Sequence, residues 1–127
     1  MFIAHINIPD GITTIKHSTF SGCNNLANIN IPGSVTAIEP MAFRGCSSLT
    51  TITIPNGVTN IGMYAFQKCS KLSSVYCQPT TPPVCGEDVF INNAANQVIY
   101  VPTASADAYK TAPIWSQYAN AILDYQF

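Results

Sequence analysis

The chain has 127 residues, of which only 9% are charged, five Lys+Arg against six Asp+Glu. It therefore lacks the basic field that nucleic-acid binding needs, and no charge block marks a disordered tail. Its apolar runs are a few residues long, well short of the ~20 needed to cross a bilayer, and no signal peptide is read at Met1. One small domain is expected, with its core shared along a stack of coils.

The stack is visible as a repeat. Residues 29–51, shifted by 23, fall on residues 6–28 with ten identities and on residues 52–74 with eleven, mostly at apolar and turn-forming positions. Each copy opens on a strand, the first over residues 3–9 and its counterpart over 26–32. Ile6 and Ile8, Ile29 and Ile31, and Ile52 and Ile54 alternate with Asn7, Asn30 and Thr53, which gives each strand a dry and a wet face. Pro9, Pro32 and Pro55 end the strands because proline cannot donate to a ladder, and turn residues follow. The β-branched segments ending at Ile15, Ile38 and Ile61 predict a second short strand that pairs with its own copies. Phe20, Cys23 and Leu26 stand three apart, as do Phe43, Cys46 and Leu49, and Phe66, Cys69 and Leu72. That spacing predicts one 3₁₀ turn per coil.

The pattern L-x-x-I-x-I-P-x-x-V-x-x-I-x-x-x-A-F-x-x-C, read from Leu49 to Cys69, closely resembles the leucine-rich repeats of BspA-like (Treponema pallidum type) surface proteins. The resemblance covers Ile3 to about Cys77, and the remainder is similar to the closing segment often found after such arrays in gut and oral bacteria. It implies a right-handed solenoid on a secreted or surface protein, with binding or adhesion roles and no catalytic residues to carry over.

Regularity fails after Cys77, where Gln78-Pro79-Thr80-Thr81-Pro82-Pro83 replaces the usual turn and leaves Val84 in the place of Ile15, Ile38 and Ile61. Phe90 lies 24 residues after Phe66, so a single insertion accounts for the slip, and residues 98–102 restore a fifth strand. From Ser105 the sequence turns Ala-rich and helical, with Ser105 or Thr103 as a cap and Asp107 near the helix start. Pro113 interrupts it, and Ile114, Trp115, Tyr118 and Ile122 form an apolar stripe at helical spacing, expected to lid the last coil. The organisation is thus an α/β repeat solenoid over residues 1–102, regular over 3–77 and degenerate over 78–102, closed by a C-terminal helical cap over 103–127.

Candidate chemistry is sparse. Cys23, Cys46 and Cys69 fall on the repeat period, and parallel Cβ vectors ~4.8 Å apart favour neither a disulfide nor a closed tetrahedral zinc site, so they read as reduced core fillers. Cys77 and Cys85 flank the proline-rich segment, and both a disulfide and two free thiols are open there. His5 and His17 lack a nucleophile at recognisable spacing, Glu87 and Asp88 point apart as sequence neighbours, and no N-x-S/T triplet occurs. No catalytic group, cofactor or metal is expected.

The wet strand face remains. Alternation places His5, Asn28, Thr51, Ser74 and Val98 in one file and Asn7, Asn30, Thr53, Tyr76 and Tyr100 in the next. Tyr76, Tyr100, Thr53, Asn30, Asn28 and Ser74 are the candidate contact residues, because amphipathic rings on a rigid sheet bury area at small entropic cost. Simple cross-strand packing beside the cap is the competing reading of the two tyrosines. The function expected is a non-enzymatic recognition or adhesion module of a bacterial cell-surface or secreted protein, meeting a host surface or matrix protein. A glycan-binding module and a passive spacer are the alternatives. Low charge with abundant Thr, Ser and Asn suits that location. Nothing covers Ile6, Ile8 and Phe20 of the first coil, so either further repeats precede it or the fragment associates end to end.

Overall fold

The computed structural model describes residues 4–127; Ile3, expected at the start of the first strand, lies outside them. Each coil contributes one strand to the first side of the solenoid: β1 (His5–Asn7), β3 (Asn28–Asn30), β5 (Thr51–Ile54), β7 (Ser74–Cys77) and β9 (Val98–Pro102). Short strands β2 (Thr14–Ile15), β4 (Ala37–Ile38), β6 (Asn60–Ile61) and β8 (Val84–Cys85) form a continuous parallel ladder on a second side. A final strand, β10 (Ile122–Tyr125), pairs in parallel with β9. β1 and β3 form their own pair, separate from the sheet β5–β7–β9–β10, although β3 and β5 are neighbours.

The predicted inward groups make the core. Leu26, Leu49 and Leu72 are buried, as are Ile52, Ile54, Cys46 and Cys69. The phenylalanines stack rung on rung, Phe20 to Phe43 at 5.3 Å, Phe43 to Phe66 at 5.1 Å and Phe66 to Phe90 at 5.6 Å between centroids. Offset stacking at these distances adds a specific term to the burial of each ring. The two middle thiols donate across coils, Cys46 Sγ to the Phe20 carbonyl and Cys69 Sγ to the Phe43 carbonyl, each at 3.2 Å.

The third side of each coil is not the 3₁₀ turn expected from its spacing. Ser18, Met41, Tyr64 and Asp88 have left-handed φ of 59°, 62°, 58° and 55°, and Gly22, Gly45, Lys68 and Asn92 are left-handed four residues later. Such residues cannot propagate a helix. Every second amide instead closes a local turn, as in Ser21 N–H to the Ser18 carbonyl at 3.1 Å, while the others reach the neighbouring coil.

The insertion in the fourth coil sits inside the proline-rich segment, which corrects the placement of Val84. Ile61 pairs with Cys85 and Asn60 with Val84, so Cys85 takes the inward rung and Val84 is 71% exposed. A one-residue slip sends every side chain of a strand to the opposite face. Gly62 and Gly86 keep the new 24-residue spacing: a Cβ at Gly62 would collide with the Pro40 backbone, and one at Gly86 with that of Met63.

The tail is helical over less of its length than its sequence suggests. A 3₁₀ turn (Thr103–Ser105) leads into α1 (Ala106–Thr111), the chain turns at Pro113, and a second 3₁₀ segment (Trp115–Ala121) precedes β10. Ser105 stands at the N-cap of α1 without capping it. Its hydroxyl donates instead to the Thr80 carbonyl at 2.7 Å, while Tyr109 OH donates to Pro79 at 2.6 Å and Trp115 Nε1 to Pro83 at 2.8 Å. Three buried side chains of the tail thereby satisfy the carbonyls that the irregular coil leaves without a ladder partner.

Candidate recognition face

The wet face is built by strand alternation. Thr53 lies beside Tyr76 in the ladder, Tyr76 beside Tyr100, and Ser74 between Thr51 and Val98. These candidates share one sheet. Asn28 and Asn30 belong to the separate β1–β3 pair, opposite His5 and Asn7, so the six predicted contact residues lie on two sheets.

Tyr76 and Tyr100 stack at 4.9 Å with planes 13° apart. Tyr125 stands roughly perpendicular to both, its centroid 5.5 Å from Tyr76 and 5.4 Å from Tyr100, and Phe127 follows at 4.9 Å from Tyr125. Leu123 is the ladder partner of Tyr100. Leu123, Tyr125 and Phe127 are 48%, 42% and 52% exposed, whereas Tyr76 and Tyr100 are half-buried. The positions in register with Thr53, Tyr76 and Tyr100 carry no Asp, Glu, Lys or Arg, although Asp124 of β10, at the alternate position beside Val101, is itself exposed. Such a surface has apolar rings, hydroxyls and amides to offer, and no long-range field.

Helical spacing over residues 103–127 hides the three added residues from the alternation that picks out Tyr76 and Tyr100. The signal was there: Ile122 stands 23 residues after Ile99 and Leu123 23 after Tyr100, so the repeat period runs on into β10.

The groups weighed for chemistry occupy structural places. All five cysteines are free thiols, including Cys77 and Cys85. Burial pushes the thiols of Cys46, Cys69, Cys77 and Cys85 up to about 12, which leaves them protonated and poorly nucleophilic at neutral pH. Cys77 Sγ lies 3.4 Å from the buried Tyr109 hydroxyl, whose pKa is raised by burial and then by Cys77. Ser18 Oγ does meet His17 Nδ1, at 2.9 Å, a pair the sequence did not suggest. Glu39 bonds the His17 backbone N–H at 3.0 Å rather than its ring, and the left-handed φ of Ser18 recurs at Met41, Tyr64 and Asp88, so it is a property of the coil. Among the described residues no three His, Cys, Asp or Glu side chains gather as metal ligands, and no helix is long and apolar enough to cross a membrane.

Residues 2–110 match the family described as the BspA type leucine-rich repeat region, in six copies. The chain belongs to the BspA-type leucine-rich repeat family. Its repeats make it an α/β solenoid of a family that is commonly found on surface proteins and is typically non-enzymatic. Among solved structures it is similar to the crystal structure of a Treponema pallidum leucine-rich repeat protein, at 19% identity and a TM-score of 0.65, over 97% of this chain and 69% of that one. At that identity the likeness concerns the fold. No curated protein matches the chain. As a BspA-type solenoid, the domain is a recognition module.

Proposed function

We propose that this BspA-type domain is a non-enzymatic adhesion module of a cell-surface or secreted bacterial protein, and that it binds a protein partner, such as a host surface or matrix protein, through the C-terminal half of its strand face. The observation that carries this reading is the cluster of Tyr76, Tyr100, Tyr125 and Phe127, with Leu123 beside it, on a rigid sheet whose positions in register with Tyr76 and Tyr100 are uncharged. Aromatic anchors at the centre of a contact surface supply most of the binding energy, while surrounding hydroxyls and amides exclude water and fix register. Thr53 and Ser74 supply that surround, and Asn28 and Asn30 extend it on the first sheet. A glycan partner has less support, because a sugar packs on an open ring face and the two half-buried tyrosines spend theirs on each other.

The test is binding of surface and matrix proteins, offered singly on an array, to the wild-type domain and to a Tyr76→Ala, Tyr100→Ala double variant. A protein that binds the first and loses at least ~100-fold in affinity for the second supports the reading. Equal binding by both would move the site off this face, binding only to a parallel glycan array would favour the sugar reading, and binding to neither array would leave a spacer.

A further inference from the structure

The turn side of the solenoid carries a surface of mixed polarity, apart from the strand face. Met41, Tyr64 and Asp88 hold the same left-handed position in successive coils, at φ of 62°, 58° and 55°, so their side chains leave the backbone in one file. Three residues on, Arg44 and Gln67 make a second file. Turn bonds from Arg44 N–H to the Met41 carbonyl and from Gln67 N–H to the Tyr64 carbonyl, both at 3.2 Å, fix the two files against each other. Bonds between coils fix them along the stack: Met41 N–H reaches the Met63 carbonyl at 3.0 Å, Tyr64 N–H the Glu87 carbonyl at 3.1 Å and Gly45 N–H the Gln67 carbonyl at 2.8 Å. An open recess of about 480 Å³ lies here, lined by Met41, Arg44, Tyr64, Gln67 and Asp88. All five residues are half-buried.

Few charges exist in this chain, five Lys+Arg and six Asp+Glu, yet two of opposite sign line the one recess. They stand two coils apart, about 10 Å along the stack at the spacing of a β-ladder, with Tyr64 and Gln67 on the coil between. Gln67 Oε1 accepts from Arg44 Nε at 2.6 Å and so draws the guanidinium toward the middle coil. The terminal N–H groups of that fork and the amide N–H groups of Gln67 are left as donors, the Asp88 carboxylate supplies acceptors, and the Tyr64 hydroxyl does both. The Tyr64 ring pairs with no other aromatic ring among the described residues, whereas Tyr76 and Tyr100 stack on each other.

We propose that this recess is a binding site for one neutral pyranose unit of a glycan, its C–H face on the Tyr64 ring and its hydroxyls between Arg44, Gln67 and Asp88. A ring of hydroxyls donates and accepts around its whole edge, which matches a donor coil on one side of Tyr64 and an acceptor coil on the other. The apolar face of the sugar gains from an aromatic face that nothing else occupies, and Met41 adds an apolar wall. An ion fits less well, because whatever Arg44 attracts Asp88 repels, and the two charges are equally close to the middle coil. This site goes beyond the strand-face reading and shares no residue with it.

The test is NMR titration of the whole domain with methyl glycosides of neutral hexoses, with a methyl glucuronide and phosphocholine as charged comparators. At least one neutral glycoside should shift the amides of Arg44, Tyr64, Gln67 and Asp88, with a dissociation constant on the order of 1 mM, and leave those of Tyr76 and Tyr100 unmoved. Ser18 and Ser21 hold the positions of Tyr64 and Arg44 in the first coil, so the same backbone accepts Tyr64→Ser and Arg44→Ser. Each of these should weaken binding at least ~10-fold, while Tyr64→Phe, which keeps the ring, should stay within about threefold of the parent. Asp88→Asn keeps an acceptor and tolerates the left-handed backbone, so it too should stay within about threefold. The proposal is overturned if no neutral glycoside moves these amides at about 50 mM, or if Tyr64→Ser binds as the parent does. Tighter binding by the glucuronide or by phosphocholine, abolished in Asp88→Asn or not, would overturn the ligand class. Shifts confined to Tyr76 and Tyr100, and lost in the Tyr76→Ala, Tyr100→Ala variant, would return sugar binding to the strand face.

Discussion

The first and last coils of the described residues are made from the same repeat and bury their rungs to different extents. At the C-terminal end Phe90 is buried under Trp115 and Tyr118, and the irregular coil is held by Ser105, Tyr109 and Trp115 through hydrogen bonds of 2.7, 2.6 and 2.8 Å. At the N-terminal end Phe20, Ile6, Ile8 and Cys23 occupy equivalent rungs and are only half-buried. A solenoid coil buries its apolar groups against its neighbours, so the same residue type contributes according to how many neighbours it has. The contrast separates what the repeat specifies, which is the inward rung, from what only a neighbour can supply, which is its burial.

The largest effect expected from that contrast is a loss of stability at alkaline pH, carried by the buried thiols. Thiols of Cys46, Cys69 and Cys77, pushed up to about 12 by burial from an ordinary 9.0, stay protonated in the fold while their unfolded counterparts ionise above pH 9. A group with a raised folded pKa contributes stability that is whole below its unfolded pKa and is lost as pH rises through the window to the folded value. Ionisation of these thiols in the unfolded chain should therefore cost on the order of 1 kcal/mol each by pH 10 and a few kcal/mol together, a large part of the stability of a small domain. Urea melts at pH 8 and pH 10 measure it, and replacing Cys46 and Cys69 by Ala should flatten the dependence. An unchanged slope in that variant would mean that other groups cause the alkaline loss. A maleimide at pH 8 should label Cys23 in the folded protein before Cys46 or Cys69, because of these three only Cys23 is partly exposed.

Next in size is the same truncation made at different rungs. Phe43→Ala removes a fully buried ring stacked on both sides and should cost roughly 3 to 5 kcal/mol by thermal or urea unfolding. Phe20→Ala, stacked on one side and half-buried, should cost no more than about half as much. Trp115→Phe tests the other end. It keeps most of the packing against Phe90 and Tyr109 but leaves the Pro83 carbonyl without its indole donor, a loss of about 1 to 3 kcal/mol. Equal costs at Phe20 and Phe43 would erase the distinction between the two ends.

The interior was legible because the constraint there is repeated: a 23-residue shift brings Ile29 onto Ile52 and Cys46 onto Cys69, and periodicity alone assigns their faces. The turn side was misread because three-residue spacing of Phe, Cys and Leu fits a 3₁₀ turn as well as the observed chain of turns. Only the left-handed backbone at Met41 and Gly45, and the amides it frees for the next coil, separate the two. Of the cap's expected helical stripe Trp115 is buried, but Ile122 is buried as the inward rung of β10 and not on a helix face, and the polar bonds of the cap were not legible at all. Nothing in the sequence tells Ser105 to serve Thr80 instead of its own helix, because that choice is made by a carbonyl 25 residues away that the insertion leaves unpaired. The contact face was half legible for a related reason: Tyr76 and Tyr100 followed from alternation, while Leu123 and Tyr125 required the repeat to be followed through a helical segment.

The smallest expected effect tests the slip that separates the fourth coil from the regular ones. By the 23-residue count Val84 would be a core residue, and by the ladder register it faces solvent while Cys85 points inward beside Ile61. Val84→Thr should therefore change stability by no more than about 0.5 kcal/mol, as for an exposed substitution that touches no special feature. Cys85→Asn places an amide on the inward rung of β8, where the neighbouring Ile61 is buried and the thiol is held protonated by desolvation. Because Cys85 is only partly exposed, burying that amide without a full set of partners should cost up to about 1 to 3 kcal/mol. Urea midpoints of the two variants decide between the counts. If Val84→Thr is the damaging change and Cys85→Asn the silent one, the insertion lies after residue 85, the Val84 side chain belongs to the core, and the proline-rich loop keeps the length of its counterparts in the earlier coils.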